Sequence, residues 1–264
     1  MVILLLLISG FIRMPWEKQL SAHLISAELL LPPPGDTLRE QMGQSATLAT
    51  LGGLRSLVSI YMTLHAHDAW QMTDWETVEQ DYRMITTMEP RDIDNWIRGA
   101  WHMWANASAN MEMNESIPKE LRSKLQHEYI DKGIQILRQG AINNPDSYKP
   151  WVELGYVLRL KKADYCGAAE AYTEALARNG TPGMITRFYG YMLAQCSGHE
   201  QEAYDYLRKL YDEGDKHRQD SVIVSLKNLE LKLGIPLIQR IPDPHPETRR
   251  RERAEKLKSR IGIK

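Results

Sequence analysis

The chain has 264 residues, 43% of them hydrophobic and 25% charged, the balance of an ordinary globular protein with core enough for one large or two modest domains. Its two cysteines, Cys166 and Cys196, are too few for a disulfide framework and are read as small buried apolar residues. The net charge of −1 is unevenly spread: positions 239–264 hold nine Lys or Arg against four acids, a surplus of +5, and the remainder carries −6, so the tail reads as a separate element.

Residues 2–12 form an apolar run of eleven that ends at Arg13. As a helix it would cover roughly 16 Å, about half of a bilayer core. No basic residue precedes it, no Ala-x-Ala site follows, and no cysteine lies near Gly10, which argues against a secretory or lipoprotein signal. Two readings stay open. In the first it is a membrane anchor with Arg13 and Trp16 at the interface; the body then lies on either side of the membrane, with the lack of charge before the run leaning slightly toward the side outside the cytoplasm. In the second it is a buried or swapped helix of a cytoplasmic protein. Residues 16–31 read as an amphipathic helix with Leu20, Leu24, Ala27 and Leu31 on one stripe. Pro32, Pro33, Pro34 and Gly35 end it, and Asp36 is placed to cap the next helix. The segment 1–31 is therefore set apart from a linker and helix entry at 32–53.

Further along, Pro90 and Pro145 each stand six residues before a tryptophan, Trp96 and Trp151. Apolar or small residues recur at i, i+4 and i+7 as Val78, Tyr82, Ile85; Gly133, Leu137, Gly140; Ala168, Tyr172, Ala175; and Ala203, Leu207, Leu210. Each triplet marks one face of a helix. Trp151, Leu154, Gly155 and Leu158 precede the third triplet, and Trp96, Gly99, Ala100 and Met103 are a looser version before the second.

These positions resemble the tetratricopeptide repeat, whose first helix carries Trp, Leu-Gly and a bulky residue, and whose second carries small, aromatic and small residues before a closing proline. The likeness covers about 160 residues and implies an all-α, right-handed solenoid of about four helix pairs within residues 54–234. The first pair runs from Leu54 to Pro90 with a turn near Thr73 and Asp74. The second, from Ile93 to Pro145, is overlong, with its break between Asn114 and Pro118. The third runs from Tyr148 to Pro182 with one extra residue in its turn at Lys162–Tyr165, and the fourth from Gly183 to Asp215. A capping helix follows from Arg218 to Leu233, and residues 235–264 form the basic tail. Gly52-Gly53-Leu54-Arg55, Ala69-Trp70 with Asp74-Trp75, and Ala100-Trp101-His102 with Asn106 and Ser108 are similar to bacterial membrane-associated tetratricopeptide proteins of undefined function.

In that family the first helices line a concave groove that takes a protein or peptide partner. With the tryptophan at the fourth position, the ninth and twelfth face the groove. The resemblance thus implies His67 and Trp70, Trp101 and Trp104, and Tyr156 and Arg159, with Lys149 near the groove mouth. Trp96 and Trp151 are expected in packing. Aromatics beside Arg and Lys suit an extended peptide or a helix with apolar anchors and some acidic character.

No Walker loop, strand-following GxGxxG, HExxH, GxSxG or paired CxxC occurs. His65 and His67 would lie about 200° apart around a helix and cannot share a metal. No catalytic residue, cofactor or metal is expected, and the chain is read as a membrane-associated protein-binding scaffold rather than an enzyme. The alternative places function in the tail, where Arg249, Arg250 and Arg251 would meet phosphates of nucleic acid or anionic lipid. The tail holds no aromatic residue, so stacking on single strands is not expected.

Overall fold

The computed structural model describes residues 53–214 and 216–242, together with Trp16, Gln19, Leu20, Ala22, His23 and Ser26, which are helical. The apolar run at 2–12, the linker at 32–52 and the tail beyond 242 lie outside the described residues. Among the described residues all regular structure is helical, and no helix is long and apolar enough to cross a membrane. The chain divides between Val157 and Leu158 into two units, a boundary that falls inside the third pair expected from the sequence.

Unit 1 holds α1 (Arg55–Gln71), α2 (Trp75–Met88) and α3 (Ile93–Trp101), which runs through a π-helical segment (His102–Ala107) into α4 (Ser108–Met113). α5 (Lys119–Asn143) and α6 (Lys149–Val157) follow. Thr73 turns the chain between α1 and α2 with φ of 57°. Asp74 then caps α2, accepting the Thr77 amide at 3.2 Å and the Thr77 hydroxyl at 2.7 Å, which satisfies donors that the first helical turn leaves open. His65 on α1 meets Asp81 of α2 at 2.7 Å. Asp81 is buried, and that burial raises its carboxyl above the usual range despite the histidine.

The proline-to-tryptophan spacing has a physical basis at Pro90. Its carbonyl accepts the Trp96 indole N–H at 2.9 Å and the Asn144 amide at 3.0 Å. One corner thus ties α3 and the end of α5 to the exit of α2. In α3 through α4, burial falls in two columns, Asn95-Gly99-Met103-Ala107 and Trp96-Ala100-Trp104-Ser108. Both step by four. A regular α-helix would rotate such a column by about 40° at every step. The i→i+5 bonding of the π segment takes in extra residues per turn and keeps the first column on α1 and α2, where Met103 and Ala107 cluster with Ala66, Val78 and Tyr82, and the second column on α5. There the approach is close: a Cβ on Gly133 would stand 2.7 Å from Cβ of Trp104, and one on Gly140 2.8 Å from Cβ of Trp96.

Unit 2 opens with a second π-helical turn (Leu158–Lys162), then α7 (Tyr165–Leu176), α8 (Met184–Gln195), α9 (Glu200–Asp212), α10 (Asp220–Lys232) and a 3₁₀ turn (Leu237–Gln239). The extra residue expected at Lys162–Tyr165 is taken up by this π turn and by Ala163, at φ of 50°. Asp164 caps α7 by accepting the Gly167 amide at 2.9 Å. Val222, Leu226 and Leu229 of α10 are buried in the position expected of a closing helix. In both units all twelve residues of the four triplets are buried, so the 4-and-3 spacing marks the faces on which consecutive helices pack.

The reading of the cysteines needs correction. Cys166 and Cys196 form a disulfide, and Cys166 is exposed while Cys196 is buried. The first turn of α7 and the end of α8 are thereby joined covalently across 30 residues of sequence.

Candidate partner-binding surface

Of the residues singled out from the sequence, His67 and Trp70 lie on the last turns of α1, and Trp101 closes α3. Trp70 and Trp101 keep 36% and 44% of their surface exposed. His102, at the head of the π segment, joins them. Its ring centroid lies 6.2 Å from Trp70 and 5.4 Å from Trp101, both edge-on, and 5.2 Å from Tyr82 of α2. His67 extends the set with its ring 5.3 Å from Trp70, and its Nε2 is hydrogen-bonded to Gln71 at 2.8 Å. The result is a run of aromatic and imidazole rings shared by α1 and α3, with Tyr82 beneath it.

Burial holds the His102 imidazole down to about 4, and the Arg98 guanidinium and His67 push the same way. His102 is therefore neutral at physiological pH, its Nδ1 3.2 Å from the Asn106 amide. Burial also raises the Tyr82 hydroxyl above its ordinary value, against the opposing influence of Arg98. The patch is thus uncharged at its centre, with Arg98 exposed beside it. Edge-to-face ring pairs of this kind fix the indoles in place and leave apolar and π surface for a partner's side chains.

The remaining residues are placed differently. Trp104 is buried, with 8% of its surface exposed, and it sits edge-on to Tyr156 of α6 at 5.8 Å. Tyr156 itself is 37% exposed, so at this point the tyrosine faces solvent and the tryptophan supports it. Lys149 is exposed, and its Nζ pairs with Asp94 at 3.3 Å, a surface ion pair of small energetic worth. Arg159 belongs to unit 2, where its guanidinium lies 5.9 Å over the Phe188 ring. Trp96 is buried, as expected of a packing residue, and Trp151 is half-buried.

His102 was not among the residues picked from the sequence. Its signal was its place after Trp101 and one turn beyond Arg98, but its contacts with Trp70 and Tyr82 come from other helices. Among the described residues no group of three or more His, Cys, Asp or Glu is placed to hold a metal ion.

No protein-family model matches the chain, and no curated protein does either. Among solved structures it is similar to one titled "Crystal structure of MamA protein", at 12% identity and a TM-score of 0.29, covering 70% of this chain and 98% of that one. At that TM-score the likeness carries no argument, and the helical architecture rests on the packing described above.

Proposed function

We propose that the chain is a tetratricopeptide-type solenoid of about four helix pairs, acting as a scaffold that captures a protein segment on the ring surface of unit 1. The observation that carries this reading is the pair of partly exposed indoles, Trp70 and Trp101, held edge-on to the neutral His102. Tryptophans fixed before binding lose little freedom when a partner arrives, and such residues dominate the energetics of protein interfaces. His67, Trp70, Trp101 and His102 form the contact, and Tyr156 extends it. The partner is a protein segment with aliphatic or aromatic anchors. The role is binding, without catalysis.

The body works outside the cytoplasm, held at a membrane by residues 2–12. The Cys166–Cys196 disulfide supports this placement, because such bonds persist in oxidising compartments and are rare where thiols are kept reduced.

A photo-crosslinking amino acid at Trp101, in cells of the source organism, tests the reading against the same probe at Glu174, which is exposed on α7. Capture of one protein from position 101, absent from 174 and abolished by Trp70→Ala, is the expected result. Equal capture from both positions, or capture indifferent to Trp70, would remove the ring surface as the binding site.

A further inference from the structure

The first helix of unit 1, α1, is apolar on two faces. One packs inward: Arg55, Ser59, Ala66 and Ala69 are buried, and the two alanines join Trp75 and Val78 of α2 in a shared cluster. The other meets solvent. Leu54, just before the helix, and Leu57, Ile60, Tyr61 and Leu64 within it are each between 51% and 64% exposed. Leu54, Leu57, Tyr61 and Leu64 recur at steps of three and four, and Ile60 lies beside them, so they form one stripe opposite the buried set. Single exposed leucines are ordinary, but a helix that is apolar all round is one that is covered on every side.

The stripe is also free of formal charge. From Ser56 to His67 the chain holds no Lys, Arg, Asp or Glu, where a 25% share would place about three in such a run. Asp68 follows at the next step of the stripe and is exposed. At the other end, the first turn of α1 has no acidic residue and no side-chain cap among the described residues, so its amides carry the partial positive charge of a helix start. The five apolar side chains expose roughly 500 Å² together, the scale of the largest patch on a typical monomer.

We propose that this stripe is a dimer interface, on which α1 of a second copy packs antiparallel about a two-fold axis near Ile60 and Tyr61. In that register Leu57 of each copy meets Leu64 of the other, Ile60 meets Tyr61, and Asp68 comes beside the uncapped first turn of the facing α1. A parallel pairing would set Asp68 against Asp68. Two-fold contact joins a patch to itself, and an uncharged stripe with an acid at one end and a positive helix start at the other is self-complementary in the antiparallel sense. Joining the two patches removes about 1,000 Å² from water, which reaches the size of a specific interface. Trp70 lies about 140° around α1 from the stripe, so pairing leaves the ring surface open and places two of them on one assembly, where a partner with two segments would be held by both. The contact does not depend on partner capture, and Trp101→Ala should leave it intact.

The test uses the full chain in a mild non-ionic detergent, followed by sedimentation equilibrium from about 1 to 100 µM. The expected result is a concentration-dependent rise to twice the chain mass. Leu64→Glu should raise the dissociation constant about 100-fold or more, because each dimer would then bury two uncompensated carboxylates. As a dilute monomer that variant should keep the unfolding transition of the wild-type chain, since Leu64 faces solvent there. Direction is read separately by cross-linking, which needs no disruptive change. Both native cysteines are in the disulfide, so an introduced thiol is the one that reacts. Tagged Leu57→Cys mixed with untagged Leu64→Cys should give a covalent dimer on mild oxidation, and neither variant alone should. A chain that stays monomeric across the range overturns the proposal, as does a dimer indifferent to Leu64→Glu or cross-linking of either variant with itself. A monomer in which thiols placed at 20 and 61 join within one chain also overturns it, and would assign the stripe to the amphipathic segment 16–31.

Discussion

Reducing the Cys166–Cys196 bond removes a constraint on the unfolded chain and leaves the folded contacts of unit 2 in place. The bond spans 30 residues, and a loop of that size loses chain entropy worth about 3.6 kcal/mol at room temperature when closed. Against the roughly 5–15 kcal/mol of a typical domain, that is a large share. Two perturbations separate the bond from its side chains: reduction of the wild-type protein, and the double variant Cys166→Ser with Cys196→Ala. Alanine at 196 avoids placing a hydroxyl in a buried position, and serine at 166 meets solvent. In urea, with a slope of about 1–3 kcal/mol per molar, the unit 2 midpoint should fall by roughly 1–4 M in both cases. The assay is tyrosine fluorescence or circular dichroism with and without reductant, alongside thiol titration of the unfolded, unreduced protein. Two titratable thiols, or a reduction effect below about 1 kcal/mol, would refute the reasoning and remove the support that the bond lends to an oxidising compartment.

Other substitutions read different parts of the fold. Trp104→Ala should cost about 3–5 kcal/mol in thermal or denaturant unfolding, as expected for a buried indole, whereas Trp101→Ala should leave stability within about 1 kcal/mol and lose partner capture; matching stabilities would mean the two have been assigned to the wrong faces. Gly133→Ala gains about 1 kcal/mol of helix propensity but places a methyl 2.7 Å from Cβ of Trp104 and 3.0 Å from the Trp104 amide nitrogen. Backbone cannot give way as a flexible side chain can, so a net loss of about 1 kcal/mol or more is expected, and a stabilised variant would deny the close approach of α3 and α5. His102 is neutral in the fold down to about 4, whereas in the unfolded chain it takes up a proton near 6.5. Between those values the unfolded state binds more protons, so stability should fall as pH drops from about 6.5 toward 4. In His102→Gln that part of the slope should disappear, and an unchanged slope would locate the acid sensitivity elsewhere.

The packing faces were legible in the sequence because close approach of helices demands small residues in fixed places. Gly133 and Gly140 lie against Trp104 and Trp96, and no larger side chain fits there, so the spacing survives as a readable mark. Pro90 and Trp96 were legible for a similar reason, since one carbonyl and one indole N–H need that separation to meet. The binding surface was less so. Counting to ninth and twelfth positions assumes an unbroken α-helical phase, but π turns begin at His102 and at Leu158, just where Trp104 and Arg159 were counted. The role of His102 depends on Trp70 and Tyr82, which lie 32 and 20 positions away and are brought near by folding alone. The disulfide was hidden likewise: two cysteines with no motif around them carry no sign that the first turn of α7 meets the end of α8.

The π segment that follows Trp101 has a consequence for how this surface can change over time. Losing or gaining one residue there turns everything beyond it by about 100°, while the helix before it and the corner at Pro90 stay put. Such an event would carry Trp104 off α5 and swing a neighbour into its place, re-aiming the second half of the helix without touching the first. A single-codon insertion or deletion at position 102 or 103 is therefore a route by which relatives of this chain could exchange one exposed set of side chains for another. Sequences that differ in length at this point should differ in what they bind before they differ in how they fold.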